Sequence, residues 1–70
     1  MLKDQLERLV DELVSSGITY EVAQREFEKK FIARVLSRSD GNLCKAAGLL
    51  GMPRNTLSRK MTEYRLRRTA

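Results

Sequence analysis

An all-α fold of four helices is predicted for this 70-residue chain by two observations. Apolar residues recur at spacings of three and four along most of its length, the period of one face of an α-helix. The stretches so marked are separated by short breaks at Gly17, Gly41 and Gly51, with no β-hairpin signal and no internal repeat.

The first helix is expected from about residue 2 to 16. Leu2, Leu6, Leu9 and Leu13, with Val10 and Val14 between them, form its apolar stripe, and Asp4, Glu7, Arg8, Asp11 and Glu12 fill the other face. Ser15-Ser16-Gly17 stops it, because Gly17 suits the left-handed position after a helix end. Thr19 can cap the second helix, with Glu21 favourable at the positive end of its dipole and Ile18 placed to staple onto Val22 or Ala23. That helix should reach about Ser37, a length of roughly 27 Å at 1.5 Å per residue. Tyr20, Ala23, Phe27, Phe31 and Val35, with Ile32 and Leu36, read as its apolar stripe.

Arg38-Ser39-Asp40-Gly41-Asn42 is a polar turn built on Gly41. Asn42 caps a short third helix ending near Leu50, and Gly51 closes it. Pro53, with a preset φ and no N–H, fits the first turn of a fourth helix that runs to Tyr64 or slightly beyond. Arg65-Leu66-Arg67-Arg68-Thr69-Ala70 is expected to be a frayed basic tail, mostly solvated.

Length and composition narrow the function. A chain of this size forms one domain, residues 1–70, and is marginal alone; small natural domains usually add disulfides, a metal or a second copy. One cysteine and no histidine exclude an internal disulfide and a zinc site, which leaves oligomerisation. Cys44 is expected to be a free thiol serving as a small filler. No apolar run approaches the roughly 20 residues that span a bilayer, and Met1-Leu2-Lys3-Asp4-Gln5 lacks a signal-peptide pattern. The expectation is therefore a cytoplasmic protein with no membrane partner. Without histidine no nucleophile–base signature is visible, so neither an enzyme, a cofactor nor a small-molecule substrate is expected.

Charge is uneven along the chain. Residues 1–36 hold six basic against seven acidic side chains, a net −1, whereas residues 37–70 hold eight against two, a net +6. A polyanion partner for the second half follows naturally. That same half carries the spacing of a helix-turn-helix. Ala47 supplies the small residue where two helices cross, Gly51 four positions later supplies the sharp turn, and Leu50, Leu57 and Met61 supply the apolar wedge.

Arg54, Asn55, Thr56, Ser58, Arg59 and Lys60 crowd the first two turns of the fourth helix, where a recognition helix meets base edges. Arg54 and Arg59 are expected on base edges, and Thr56, Ser58 and Lys60 on phosphates. Asn42 and Lys45, at the start of the third helix, complete the expected DNA-binding set as a phosphate clamp.

Gly41-Asn42, Ala46-Ala47, Leu49-Leu50-Gly51 and Arg54-Asn55-Thr56-Leu57-Ser58-Arg59-Lys60 together resemble the Fis-type helix-turn-helix family. The family is found in nucleoid proteins and at the C-terminus of NtrC-like enhancer-binding activators. The resemblance covers residues ~25–66. It implies a homodimer with an intertwined core of long N-terminal helices, recognition helices in adjacent major grooves, and bent DNA. It also implies DNA contacts at Arg54, Thr56, Arg59 and Lys60, with Asn42 beside them. Pro53 departs from the nucleoid branch, which has a polar base-contacting residue there. The N-terminal β-hairpin arm that contacts recombinases has no counterpart, nor is an ATPase or receiver domain present. The resemblance fits a free-standing small regulator or the effector domain of a larger one, and Met1 followed directly by a helix favours the first.

Residues 1–37 are accordingly expected to dimerise, through Leu6, Leu9, Leu13, Phe27 and Phe31, and residues 42–66 to form the helix-turn-helix. The expected partners are double-stranded DNA, a second copy of the chain and the transcription machinery, in a nucleoid-associated regulator. Two rivals come from other classes. One is a helical interaction module that uses the N-terminal apolar stripe to bind another protein. The other is a small RNA-binding bundle, for which Tyr64 is the only stacking aromatic in the basic half.

Overall fold

The structure, a computed structural model, describes residues 1–66. Four helices follow one another: α1 Leu2–Ser15, α2 Tyr20–Arg38, α3 Leu43–Leu50 and α4 Arg54–Tyr64, with no strand among the described residues. The all-α expectation holds, and each helix lies within two residues of its expected bounds. Pro53 differs slightly. It stands one residue before α4 with ψ 148°, outside the first turn, which begins at Arg54.

Each helix end has a local cause. The Thr19 hydroxyl accepts from the Val22 N–H at 3.3 Å, and the Asn42 side-chain oxygen accepts from the Lys45 N–H at 3.1 Å, so both expected caps are in place. All four helices close the same way at their C-termini. An N–H reaches back five residues while its predecessor reaches back three, around a left-handed residue: Gly17, Asp40, Gly51 and Arg65. The third of these has Met52 N–H to Ala47 O at 3.1 Å and Gly51 N–H to Gly48 O at 3.2 Å. After α2 the left-handed position falls on Asp40 (φ 52°), one residue earlier than expected, and Gly41 follows with φ 77°. Asp is among the few side chains that tolerate this region.

Arg65-Leu66 is not frayed. The Leu66 N–H donates to Met61 O at 2.8 Å and the Leu66 side chain packs against the core. The rest of the expected tail, residues 67–70, lies outside the described residues.

One core is visible. Ile32 and Leu36 of α2, Leu43, Ala46 and Ala47 of α3, and Leu57 and Met61 of α4 are buried together, flanked by Val35, Leu50, Met52 and Tyr64. The fully buried Ala46 and nearly buried Ala47 let α3 pack closely against its neighbours, and Gly51 turns the chain so that Leu57 and Met61 come back under it. The apolar wedge is thus as expected. Helix α1 has no buried residue at all. The radius of gyration of 13.6 Å exceeds the ~11 Å of a compact chain of this length, as expected when one helix lies outside the core.

Three sequence readings are corrected by this packing. The apolar residues of α2 do not form one stripe: Ile32 and Leu36 enter the core, whereas Phe27 and Phe31 stay 56% and 50% exposed on another face. Phe27 and Phe31 therefore do not pack on the helix-turn-helix of the single chain. Cys44 is a free thiol but an exposed one, not a core filler, because Leu43 and Ala46 occupy the inner face of α3. Ser39, in the segment read as a polar turn, is 2% exposed, and its hydroxyl oxygen has no hydrogen-bond partner. Burying an unpaired hydroxyl costs on the order of 1–3 kcal/mol by mutational measures. Ser39→Ala should therefore leave thermal stability unchanged or raise it by up to about 1 kcal/mol. A loss of more than that on calorimetry would show that the hydroxyl is satisfied in solution.

Candidate nucleic-acid interface

The outer side of α4 follows from what its inner side must do. Leu57 and Met61, one turn apart, are held against α3, so residues roughly half a turn around face solvent. Asn55 and Arg59 are exposed there, Thr56 and Ser58 are half-buried at the margins, and Arg54, about 140° around the helix from Arg59, is exposed on the flank of the first turn. At about 100° per residue, Arg59 lies only about 40° around the helix from Asn55. A guanidinium and a carboxamide, the groups that make bidentate contacts to guanine and adenine, thus share one exposed strip, with Arg54 on a neighbouring flank at the N-terminal end of the helix. Asn42 and Lys45 are exposed at the start of α3. The Asn42 oxygen is occupied by the cap, which leaves its NH₂ free to donate outward.

Lys60 is placed differently from the other candidates. It lies about 140° around α4 from Asn55. Its ammonium donates to Glu28 Oε1 of α2 at 2.7 Å, and both side chains are 28% exposed. The Tyr64 hydroxyl donates to the same oxygen at 3.0 Å, and the Arg25 guanidinium lies 5.8 Å from the centre of the Tyr64 ring, in cation–π range. The hydrogen bond from Lys60 chiefly holds the Glu28 carboxyl below its ordinary range, against an opposing effect of burial and with a lesser contribution from Tyr64. Glu28 in turn raises the Lys60 ammonium, and burial together with Glu28 raises the Tyr64 phenol.

Reading the sequence missed Glu28, Tyr64 and Arg25 as a group. A signal was available. Glu28 stands one turn before Ile32 on the inward side of α2, while Lys60 and Tyr64 are an i, i+4 pair beside Met61.

The residues expected to dimerise sit apart from this strip. Leu9, Leu13, Ile18, Val22, Ala23, Phe27 and Phe31 line a shallow apolar groove between α1 and α2, and a second groove extends it past Leu6 and Val10. The Phe27 and Phe31 rings lie 5.5 Å apart at 39°, a tilted aromatic pair one helical turn apart. Among the described residues there is no cluster of three or more potential metal ligands, and no helix is long and apolar enough to cross a membrane.

Comparison with known proteins gives a consistent answer. The chain is 42% identical over 62 residues to the DNA-binding transcriptional regulator NtrC of Azospirillum brasilense, a match covering 89% of this chain and 13% of that protein. It is 43% identical over 47 residues to a Fis-like protein of Xylella fastidiosa strain Temecula1, covering 67% of this chain and 52% of the relative. A Fis-like protein of strain 9a5c is 40% identical over the same length. The chain therefore spans about half the length of its Fis-like relatives and a small part of the NtrC relative. No solved structure gives a significant match. Residues 23–64, from α2 to the last residue of α4, match the family described as "Bacterial regulatory protein, Fis family". With that match covering more than half of its length, and with α3, the Gly51 turn and α4 arranged as a helix-turn-helix, the chain belongs to the Fis family of bacterial regulatory proteins.

Proposed function

We propose that the chain is a homodimeric, sequence-preferring double-stranded DNA-binding protein that acts as a transcriptional regulator or nucleoid-associated protein in the cytoplasm. The observation that carries this reading is the exposed strip of Asn55 and Arg59 on a helix whose opposite face is locked to α3, with the exposed Arg54 on a neighbouring flank at the start of that helix. In the complex α4 enters the major groove, with Arg54 and Arg59 on base edges. Asn55, Thr56 and Ser58 contact bases or adjoining phosphates, and Asn42 and Lys45 clamp a phosphate at the start of α3. The name of the NtrC relative, a DNA-binding transcriptional regulator, supports the same reading and suggests contact with the transcription machinery.

The dimer rests on the apolar grooves of α1 and α2. Single exposed leucines are common on soluble proteins, but a contiguous face running from Leu6 to Phe31 marks an interaction surface. A two-fold pairing buries this face twice over and sets two recognition helices about a dyad, in a unit of roughly 140 residues and +10 charge. Two helices so placed reach half-sites one helical turn apart, and bending the duplex would bring its flanks onto the basic surface.

Arg54→Ala tests the assignment most directly. It should cost about 1–3 kcal/mol of binding to the preferred site, concentrated at one base position, and leave affinity for random duplex nearly unchanged. The preferred site comes from selection of bound duplexes out of a random pool, where dyad symmetry is the expected signature. Equal losses on specific and random DNA would remove Arg54 from base readout.

A second reading is favoured by one observation. Because no α1 residue is buried, the apolar face could serve a different protein, making the chain a helical interaction module. A wild-type chain that fails to bind duplex DNA at low salt would select that reading.

A further inference from the structure

We infer that Glu28 is a positioning residue for the DNA-binding surface: its carboxylate withdraws the Lys60 charge from the phosphate-contacting set and anchors α4 to α2 through Lys60 and Tyr64. This rests on the functional reading above and sharpens it. The second half of the chain carries eight cations, and their number alone suggests that all are available to a polyanion. Among the described residues the geometry separates one of them from the others.

Lys60 and Tyr64 are one turn apart on the flank of α4 next to the core, and both donate to the same oxygen, Glu28 Oε1, at 2.7 and 3.0 Å. Arg25, one turn before Glu28 on α2, covers the Tyr64 ring from outside. Three side chains of α4 and α2 thus converge on one carboxylate or on the ring that bonds it. By contrast Arg54, Arg59 and Lys45 are exposed and form no ion pair, among the described residues, with any acidic side chain.

The consequence for binding is electrostatic. A lysine neutralised by a carboxylate within its own chain releases no counterion when DNA arrives, so it adds nothing to the salt dependence of binding. The pair also ties the flank of α4 to the middle of α2, far along the chain. Rotation of α4 about its axis, which would carry Arg54 and Arg59 off their base edges, has to break that contact. Core packing by Leu57 and Met61 sets the depth of the helix, and the Glu28 contacts resist its rolling.

The test uses the full chain and its selected duplex, with a random duplex beside it, and reads affinity across 50 to 200 mM salt. Glu28→Gln should free Lys60 for phosphate and steepen the salt slope by about 0.9 per protomer engaged, which is roughly a threefold larger loss of affinity over that range. It should also lower the ratio of specific to random binding. In the double variant E28Q/K60Q the charge pair is removed as a unit, so its salt slope should return to that of the wild type. Unchanged helix content by circular dichroism shows that each variant is folded.

A purely structural role for Glu28 would alter stability without steepening the slope, and that outcome overturns the inference. So does a double variant whose slope falls by about 0.9 per protomer below wild type, because Lys60 would then be a phosphate contact in the native chain. Failure of the wild type to bind either duplex overturns the functional reading itself. Binding by wild type with an unchanged E28Q slope overturns only the role of Glu28.

Discussion

Replacing Phe31 with arginine is expected to give a monomer that keeps its helices and loses tight binding to the selected duplex. Phe31 is half exposed and pairs with Phe27 on the face of α2 turned away from the helix-turn-helix. The adjacent Ile32 and nearby Leu36 hold the core, so the substitution leaves the core untouched. In a two-fold dimer every loss counts twice. Each ring withdrawn from the interface forfeits about 1.5–3 kcal/mol of apolar burial, and each arginine adds the cost of desolvating a charge.

DNA binding is lost for a separate reason. Two linked recognition helices gain an effective concentration for the second half-site, an avidity of roughly 10²–10⁴ that a monomer forgoes. Sedimentation equilibrium and fluorescence anisotropy on one preparation measure both effects. A wild-type chain that sediments as a monomer at micromolar concentration would end the dimer proposal.

Leu57→Ala is expected to be the most damaging core substitution, melting the helix-turn-helix near room temperature. Leu57 is fully buried at the centre of the cluster formed by Ile32, Leu36, Leu43, Ala46, Ala47 and Met61. Leucine-to-alanine changes at such sites cost about 2–5 kcal/mol, from lost transfer energy and the cavity left behind. A domain of this size sits near the low end of the ~5–15 kcal/mol that native proteins hold, so most of its margin would go. Leu49→Ala is the control. Leu49 is 63% exposed on the same helix pair, and its loss should shift stability by no more than about 0.5 kcal/mol. Thermal unfolding followed by circular dichroism distinguishes the two, and equal shifts would contradict the placement of the core.

Helix ends were legible because their causes are local. Thr19 and Asn42 cap through bonds that span three residues, and Gly17 and Gly51 reach the left-handed region at little steric cost. The helix-turn-helix was legible too, since Ala47, Gly51 and Leu57 stand at a spacing that suits a tight crossing of two helices. Gly41 is a left-handed turn residue as read, but Asp40 before it was not singled out. A non-glycine residue in the left-handed region gives no signal of its own when Gly41 stands beside it.

The division of α2 into two faces was not legible. Phe27, Phe31, Ile32, Val35 and Leu36 all fit the helical period, and periodicity does not say which neighbours receive which residues. Packing decides it: Ile32 and Leu36 meet α3 and α4, while Phe27 and Phe31 are left outside. The exposure of Cys44 has the same origin, because Leu43 and Ala46 fill the inner side of α3 first.

The sequence by itself determined the helices, their ends, the crossing of α3 and α4 and the concentration of positive charge on that half. These depend on bonds and contacts between residues a few positions apart. Only the tertiary structure decided which of those cations are free. Lys60 reads in sequence like Arg59, its neighbour, yet Lys60 meets Glu28 across a separation of 32 residues while Arg59 faces solvent. Whether a charge is available to a partner depends on what lies within about 4 Å of it, and chain order does not fix that distance.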